Sequence, residues 1–429
     1  MFQSAVIDSS LQSAAPRKAI NKPLPFITFA LSSSIIACTM YIFAWLMGDQ
    51  VKPSASLLNV IYGALICYAA SNILMHKLGK FPGSRPLTYL IPTVGVTILV
   101  LIASINFMRL EYSRSAIAAA FSVVLLITYL EFKFLQSRQK GHYAVVPFGF
   151  FEPLLACNKD KFTLLLTPAL GNREFAGVIV DNTADIPGHW QKFIAEALAK
   201  DIPILNAISA YESITGKSPL DHYGEITYGE LKPAPLYLML KRLIETALIT
   251  LSLPLTLPVV FLTAIAIKLE TNGSAFFTQK RVGKGGKEFS MYKLRSMCLD
   301  SELNGAQFAG EDDSRITHIG KIIRKARIDE LPQFLNILKG DMALIGPRPE
   351  QAGFVKEFEQ AIPLYSYRHV VRPGITGWAQ VTHGYASCED STREKLAHDF
   401  YYVKNLSLWL DFDIVFKTIK TMLTGFGAR

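Results

Sequence analysis

Two adjacent carboxylates lie in a basic stretch that reads RKARIDELPQ at residues 324–333. Two turn-rich motifs follow it, GPRP at residues 346–349 and RPGITGW at residues 372–378. Proline restricts the backbone of such turns, so a guanidinium group carried there can be held in place to bind a phosphate with two parallel hydrogen bonds. The pattern therefore predicts Arg348 and Arg372 as phosphate ligands in the neighbourhood of the carboxylates.

The pair Asp329 and Glu330 is, by itself, a common start of a helix. Pro332 favours an early helical position and would leave Asp329 near a helix N-terminus, where the partial positive charge stabilises a carboxylate and a neighbouring phosphate. Arg324 lies close enough in sequence to face the same pocket. The other basic residues nearby fit either a solvated face or a face against lipid headgroups, namely Lys321, Lys325 and Arg327.

Two further cations alternate with apolar residues in the segment FSMYKLRSM, residues 289–297. This alternation predicts a strand that carries Lys293 and Arg295 on one face. Two roles remain open for these cations: contact with a phosphorylated substrate, or half-buried pairing with structural carboxylates.

The composition indicates that lipid solvates part of the chain. Of 429 residues, 50% are hydrophobic and only 18% are charged, compared with roughly 25% charged in an average soluble domain. Basic residues flank the first part of the chain on alternate loops, which predicts a transmembrane domain at residues 1–140 with both ends in the cytoplasm. Without an ionisable residue deep inside them, the helices are expected to anchor rather than transport, and they are predicted at about 26–47, 56–75, 87–108 and 115–135.

Residues 141–235 have the composition of a soluble α/β domain. Strands are predicted at 162–166, 177–180 and 202–205, with an amphipathic helix at 190–200. The order of strand, helix and strand indicates a small parallel sheet of Rossmann type. No GxGxxG motif follows the first predicted strand, which argues against dinucleotide binding, and Asp181 is predicted to be a turn residue.

A fifth apolar run at 243–267 opens the third predicted domain, residues 236–429. It is long enough to cross a bilayer, but a single crossing would carry the basic domain out of the cytoplasm. Pro254 and Pro258 are therefore predicted to break a re-entrant membrane helix at about 241–268. The alternative is an ordinary kinked span.

The C-terminus and the charge balance suggest contact with anionic surfaces. The net charge is +9, which fits anionic lipid and phosphorylated substrates better than nucleic acid. The five cysteines have no metal-ligand spacing, which argues against a zinc site and against a disulfide framework. A final apolar stripe fits a helix in the headgroup region or a soluble core helix, and consists of Phe412, Val415, Phe416, Ile419, Met422 and Leu423.

Several motifs in one order make a specific resemblance. They are FFTQKRVG at 276–283, FSMYKLRSM at 289–297, DELPQ at 329–333, GPRP at 346–349 and RPGITGWAQV at 372–381. From about Lys241 onward the chain resembles the bacterial sugar transferases that move a hexose 1-phosphate onto a polyprenyl phosphate. The added membrane helices and α/β domain resemble the long form, the undecaprenyl-phosphate glucose or galactose phosphotransferases. The chain departs from the family pattern in having Glu245 for Asp, and Leu257 for Ser before Pro258.

The resemblance implies roles for particular residues. Asp329 would be the nucleophile and Glu330 the Mg²⁺ ligand. Substrate contacts would come from Lys293, Arg295, Arg324, Pro347, Arg348, Arg372, Gly374 and Gln380.

The resemblance also implies a reaction: transfer of a hexose 1-phosphate from a UDP-hexose to undecaprenyl phosphate, at the cytoplasmic face of the bacterial inner membrane, through a phosphosugar bound to Asp329. Membrane lipids are expected partners, a homodimer is a further expectation, and nucleic acid is not expected. Two alternatives stay open: a non-catalytic scaffold or regulator of polysaccharide assembly, and a membrane-tethered nucleotide-sugar dehydratase or epimerase. The sequence leaves open the sugar, the pathway, the role of residues 141–235 and the oligomeric state.

Overall fold

The fold is mostly helical with small sheets, in two compact units, Met1–Thr215 and Gly216–Arg429. The computed structural model describes residues 24–46, 54–78, 89–138, 141–158, 160–171, 175–220, 235–298, 313, 315–362, 364–382 and 389–424. The predicted boundary between the second and third domains, between residues 235 and 236, directly follows residues 221–234, which lie outside these ranges, so the three-domain division stays a prediction.

The first unit begins with four helices that are long and apolar enough to cross a membrane. Helix α2 packs against α1, α3 and α4, and Gly63 permits its close approach to Leu101, since a Cβ there would lie 2.5 Å from that side chain. Many of the remaining apolar side chains face outward, as expected for contact with lipid. The helices are α1 (Leu24–Leu46), α2 (Ala55–Leu78), α3 (Leu90–Phe107) and α4 (Arg114–Arg138).

One carboxylate of these helices that the sequence patterns did not single out, Glu131 of α4, lies near the end of the last predicted run and is buried in the bundle. Its carboxylate accepts hydrogen bonds from the Tyr68 hydroxyl (2.5 Å) and from the Asn72 amide (2.9 Å), both on α2. Two donors on a facing helix compensate the loss of water, so the membrane domain tolerates the carboxylate.

The rest of the first unit is an α/β domain with a four-stranded parallel sheet in the order β2-β1-β3-β4. Alternate residues face opposite sides: Ala144 and Val178 pack with α6, whereas Val145 and Ile179 pack with α5 and α7. The three predicted strands are present, together with an unpredicted first strand. The elements are β1 (Tyr143–Val145), α5 (Glu152–Cys157), β2 (Phe162–Leu164), β3 (Gly177–Val180), α6 (Gly188–Ala199), β4 (Ile204–Asn206) and α7 (Ala207–Thr215).

Asp181 ends β3 as a turn residue, as predicted. One carboxylate oxygen accepts from the backbone N–H of Phe150 (2.8 Å), and the other accepts from the backbone and hydroxyl of Thr183. Gly149 has a positive φ of 68°, and a Cβ on it would lie 2.2 Å from the Asp181 carboxylate. The loop after β1 therefore closes directly over Asp181.

The second unit begins with a helix of 36 residues, α8 (Pro235–Glu270). Pro254 and Pro258 lie inside it, so the predicted break does not interrupt the helix. Ile249 packs on the core formed by Phe289, Met291, Ile337 and Met342, whereas Ile267 packs on Leu294 and Ile323. Helix α8 therefore contacts the same folded unit through both halves of its length.

The remaining elements of the second unit form a compact scaffold around two short sheets. Strands β5 and β6 are an antiparallel hairpin, and β7 pairs in parallel with β8. The elements are β5 (Phe276–Val282), β6 (Glu288–Leu294), α9 (His318–Lys325), α10 (Phe334–Lys339), β7 (Ala343–Ile345), α11 (Ala352–Ala361), β8 (Gly374–Thr376), α12 (Trp378–Thr382), α13 (Glu389–Lys404), α14 (Leu408–Thr424) and 3-10 helices at Lys284–Gly286, Ile328–Gln333 and Tyr365–Val370.

The predicted C-terminal helix is present as α14, and its apolar stripe is divided. Phe412, Ile419 and Met422 are exposed, whereas Leu410 and Ile414 are buried in the unit. The helix is thus both a core helix and a carrier of an outward apolar face.

Candidate active site

The two carboxylates lie in a tight connection between α9 and α10. Arg327 adopts the left-handed conformation (φ 56°, ψ 20°), which is uncommon for a residue with a side chain. The 3-10 helix Ile328–Gln333 follows, with Asp329 and Glu330 in its first turn and Pro332 inside it. The predicted position of Asp329 near a helical N-terminus is confirmed.

Asn336 fastens this connection to the β5–β6 hairpin. Its fully buried amide donates to the Ser290 carbonyl (2.8 Å) and accepts from the backbone N–H of Tyr292 (3.1 Å). The hydrogen bonds bring β6 against the 3-10 helix, so that Lys293 acts electrostatically on both Asp329 and Glu330. The predicted strand is present as β6, and its Lys293 lies within electrostatic reach of both carboxylates.

Glu330 is a buried carboxylate held in its ionised form. Arg348 donates to its Oε1 from both terminal nitrogens (3.2 and 3.3 Å), and Arg327 Nη1 lies 3.5 Å from Oε2. Burial alone would raise the pKa of Glu330, but Arg348, Lys293 and Arg327 outweigh it and hold that pKa below its ordinary value. Glu330 is an anion at neutral pH.

Asp329 has a different environment. Its Oδ1 is buried and has no hydrogen-bond partner among the residues that the structure describes. Burial, and then the neighbouring charge of Glu330, raise the pKa of Asp329 to about 6, although Lys293, Arg324 and Arg348 oppose the shift. The site thus presents a desolvated carboxylate that ionises just below neutral pH beside several cations.

The GPRP loop that carries Arg348 is held at three successive carbonyl groups. Arg368 donates to the Arg348 carbonyl (2.9 Å), Arg281 to the Pro349 carbonyl (3.1 Å), and the Val282 backbone to the Glu350 carbonyl (2.9 Å). Arg368 is itself buried and pairs with Asp399 at 2.9 Å. These contacts position Arg348 toward Glu330.

Two motif residues have a packing role at the start of this loop. Pro347 accepts a hydrogen bond from the Gly374 backbone N–H (2.9 Å), and Gly346 donates to the Thr376 carbonyl (2.9 Å). A Cβ on Gly374 would lie 2.1 Å from the backbone nitrogen of Gly346. Only glycine permits this close approach of the two motifs.

Three predicted substrate residues bind backbone carbonyls instead of joining the carboxylates. Arg295 donates to the Asn272 carbonyl (2.7 Å) and to Thr271, beyond the end of α8. Arg372 donates from Nε to the Gly340 carbonyl (2.9 Å). The amide of Gln380 donates weakly to the Ile375 carbonyl (3.3 Å).

Comparison with known proteins agrees with this geometry. Residues 236–425 match the profile of the bacterial sugar transferase family. A UDP-N-acetylgalactosamine-undecaprenyl-phosphate N-acetylgalactosaminephosphotransferase of Aeromonas hydrophila is 44% identical over 402 residues, which are 94% of this chain and 95% of that protein. The chain belongs to the bacterial sugar transferase family.

Other members of the family match less than half of this chain. A UDP-glucose:undecaprenyl-phosphate glucose-1-phosphate transferase of Caulobacter vibrioides is 42% identical over 44% of this chain and 71% of its own length. A protein with the same name from Escherichia coli K12 is 38% identical over 42% of this chain and 39% of its own length. This sugar transferase is therefore an enzyme, and the family profile lies within its second unit.

The donor set of this sugar transferase fits a magnesium ion. Among the described residues no group of three His, Cys, Asp or Glu side chains forms a cage. Mg²⁺ usually keeps several waters and binds one or two carboxylates together with substrate phosphates. The unpartnered Oδ1 of Asp329 beside the Glu330 carboxylate offers such a partial site.

The residues that sequence reasoning missed are those that support the transferase site from a distance in sequence. Arg281 lies within the quoted FFTQKRVG motif, but the loop that it holds is far along the chain. Arg368, Asp399 and Glu350 carry no local pattern that distinguishes them from surface charges. Only the fold shows that charged side chains in this part of the chain are buried, among them Arg368 and Asp399.

Proposed function

We propose that this enzyme transfers a sugar 1-phosphate from a UDP-sugar to undecaprenyl phosphate, releasing UMP in the first membrane step of surface-polysaccharide synthesis. The single observation that carries the proposal is the buried pair Asp329 and Glu330, surrounded by Lys293, Arg324 and Arg348. The names of the related transferases support the two substrates.

The chemistry begins with attack by the Asp329 carboxylate on the phosphorus that bears the sugar. A new bond forms between a carboxylate oxygen and phosphorus, the bond from that phosphorus to the bridging oxygen breaks, and UMP leaves with the bond electrons. Two unit charges at 4 Å repel by about 4 kcal/mol at an effective dielectric of 20. Lys293, Arg324 and Arg348 offset this repulsion. An oxygen of undecaprenyl phosphate then displaces the sugar phosphate from Asp329.

Glu330, with the free oxygen of Asp329 beside it, would hold Mg²⁺, which when bound supplies charge neutralisation for diphosphate oxygens. Glu330 itself keeps Arg348 in place through its Oε1. Glu330→Gln should lose activity by about 10² to 10³-fold while the protein stays folded. EDTA should inactivate the wild type reversibly, and full activity in EDTA would contradict the assignment of the metal.

The covalent intermediate gives the sharpest test of the proposed reaction. Full-length enzyme incubated with UDP-sugar and no lipid should gain the mass of one sugar phosphate, and initial rates should give parallel double-reciprocal lines. Asp329→Asn should prevent the adduct, whereas Glu357→Gln, which removes an exposed charge on α11, should leave it intact. A ternary-complex rate pattern without an adduct would favour direct attack by the lipid phosphate.

The proposed donor is UDP-N-acetylgalactosamine. The relative that matches nearly the whole chain is named for this sugar, whereas the relatives named for glucose match less than half of the chain. UMP release by purified enzyme with undecaprenyl phosphate should be fastest with this donor in a panel of UDP-sugars. A preference for UDP-glucose would overturn the choice of sugar and leave the reaction class unchanged.

The proposed location is the bacterial inner membrane, with the second unit on the cytoplasmic side and α8 re-entering that side. Contacts through Ile249 and Ile267, about 27 Å apart along the helix axis, support this topology. If α8 crossed the membrane, Ile249 and Ile267 could not both pack against a unit that lies on the cytoplasmic side. The opposite face of α8 is exposed and apolar, as lipid contact requires. The predicted homodimer stays a prediction.

Cysteines at Leu240 and Leu269 should both be shielded from an impermeant thiol reagent added outside intact cells. Lys52→Cys, in a loop that the charge pattern assigns to the outside, is the positive control. Labelling at position 269 alone would mean that α8 crosses the membrane. Replacing Pro254 and Pro258 together with Leu should favour crossing and abolish activity.

The rival assignment as a nucleotide-sugar dehydratase or epimerase would need the α/β domain to hold a dinucleotide. Its sheet order is compatible with a Rossmann-like domain, in which ligands bind where the order reverses, between β1 and β3. That position is filled by Asp181 and the loop at Gly149. We therefore expect NAD to leave the melting temperature unchanged. The intact carboxylate site also disfavours a non-catalytic scaffold.

A further inference from the structure

A second cluster of cations lies in a cleft beside the N-terminal part of α8. Leu238 and Leu406 contribute apolar surface to the cleft. Its cationic lining consists of Lys241, Arg242, Lys284 and Arg372. Four basic side chains converge here without belonging to the Asp329 site.

The acidic groups of this cleft are already occupied. Lys241 is buried, lies 3.2 Å from Glu245, and also pairs with Asp411 and donates to Tyr402. Glu245 also accepts from the Ile345 backbone (3.3 Å). Glu245 and Asp411 therefore compensate the charge of Lys241. Within the part of the chain that the structure describes, no carboxylate forms a hydrogen bond with Arg242, Lys284 or Arg372.

The two arginines use only some of their donors. Arg242 donates to the carbonyls of Ile337 and Leu338, which satisfies the end of α10. Arg372 uses Nε for the Gly340 carbonyl, and its two terminal nitrogens have no partner among the described residues. The exposed Lys284 has none there either. Arg372 repels Arg242, and Glu245 and Asp341 attract it, each less strongly than Arg372 repels it. An anion between the two arginines would therefore be stabilised by both.

The position of the cleft indicates what kind of anion reaches it. Exposed apolar side chains of α8 begin at the same level, with Leu236, Met239 and Leu243. An apolar helix face next to a row of cations is the arrangement that meets acyl chains and lipid headgroups together. The cations that act on Asp329 and Glu330 are a different set, Lys293, Arg324, Arg327 and Arg348.

We propose that the cleft formed by Arg242, Lys284 and Arg372 binds the phosphodiester headgroup of an anionic phospholipid in the leaflet that holds α8. The two free nitrogens of Arg372 form the fork that receives phosphate oxygens. Lys284 adds a point charge at the outer edge of the cleft. A bound lipid thereby ties the start of α8, the end of α10 and the β5–β6 turn to the membrane surface.

The test is native mass spectrometry of the full-length protein in detergent, titrated with phosphatidylglycerol and, separately, with phosphatidylcholine. Wild type should bind phosphatidylglycerol preferentially. Arg372→Gln and Lys284→Gln should each weaken that binding by about fivefold, the effect expected for one cation near a lipid surface. Lys287→Gln removes the same charge from the same turn without lining the cleft, and should bind as wild type does.

Two results would overturn the proposal. Equal binding of phosphatidylglycerol by Lys284→Gln and Lys287→Gln would remove the cleft as a lipid site, and this pair stays informative if Arg372→Gln does not fold. Displacement of phosphatidylglycerol by equimolar undecaprenyl phosphate in wild type, lost in Lys284→Gln, would assign the cleft to the acceptor lipid instead. Neither readout depends on UMP release, so the proposed reaction is tested separately.

Discussion

Asp329 and Glu350 are two carboxylates of the same unit with opposite electrostatics, the first buried and the second partly buried. Burial raises the pKa of both groups, but Lys395 and Arg368 outweigh it at Glu350 and bring its pKa to about 2. Lys395 contacts Glu350 directly, and Arg281 lies 3.7 Å from it. At Asp329 the cations act from farther away, Oδ1 has no described partner, and the pKa rises to about 6. Glu350 is thus compensated by a direct ion pair, whereas Asp329 keeps an oxygen without a described partner, as the proposed attack on phosphorus requires.

The difference shows how a site can stay reactive inside a rigid frame. A buried charge without a close partner destabilises a protein, whereas removing one partner of a buried ion pair is itself strongly destabilising. The network around Glu350 holds the loop of Arg348 in place, and Arg348 in turn touches the carboxylate pair. The charges around Glu350 therefore stabilise the loop, and a separate, neighbouring set of charges forms the candidate site.

The largest expected effect separates the two carboxylates by activity. Asp329→Asn should lower the rate of UMP release by at least about 10⁴-fold, because no nucleophile remains. Glu350→Gln should retain far more activity wherever it folds, since it does not touch the reacting atoms. Equal losses in folded samples of the two variants would show that the comparison assigns the wrong roles.

The next effect concerns stability. Glu350→Gln leaves the partly buried Lys395 and Arg281 without their carboxylate, which should cost about 3 kcal/mol. Denaturation of the detergent-solubilised protein measures it. Glu394→Gln on α13 is a suitable control because it removes the same charge from a more exposed pair with Lys217. A similar loss in both variants would argue against a special role for the buried network.

The third effect has the opposite sign. The folded-state pKa of Asp329 lies near 6, against an ordinary value of 3.8, so the ionised group destabilises the fold by roughly 3 kcal/mol above pH 6. Stability should rise as the pH falls from 6 toward 3.8, where the folded state binds the extra proton. Asp329→Asn should raise the melting temperature at pH 7.5 without magnesium and remove this part of the pH dependence. An unchanged or lower melting temperature would contradict the unpaired state of Asp329.

The smallest effect tests the connection between the two regions. Arg281→Gln loses the hydrogen bond to the Pro349 carbonyl, and a looser Arg348 should lower kcat by about tenfold while leaving KM for the UDP-sugar within about twofold. Arg281→Lys should recover part of kcat. Lys280→Gln, on the neighbouring position of β5, is the control, and an equal kcat in both Gln variants would exclude a positioning role for Arg281.

Local motifs predicted several residues that the fold brings together at the candidate site, and they did not predict the residues that support them. Local signals in the sequence predict the 3-10 helix, the GPRP turn and strand β6. These elements carry the four residues that lie together in the fold, Asp329, Glu330, Arg348 and Lys293. The pairs Arg368–Asp399 and Lys395–Glu350 join distant segments, and a sequence does not display which distant charges meet. Arg295 and Arg372 have the right charge, but the carbonyls at the ends of α8 and α10 take up donors of both.

The same limit explains what the sequence did not show in the first unit. The four long helices were visible as apolar runs, but averaged hydropathy hides one carboxylate near the end of a run, as at Glu131. Its partners Tyr68 and Asn72 lie on another helix. The short strand β1 was missed because three residues give no measurable alternation. Asp181 was correctly predicted as a turn residue because its role is decided within a few positions.

The packing of α8 has a consequence for making this enzyme soluble. Deleting the helix would remove Ile249 and Ile267 from the interior of the second unit and expose the core that they cover. A water-soluble version of the second unit would instead keep these inward positions and replace the outward apolar residues of α8 with polar helix formers, beginning with Leu251, Leu255, Phe261 and Leu262. The helix proposed to hold this unit to lipid is also a structural part of it, so detaching the second unit from the membrane requires resurfacing α8 and not deleting it.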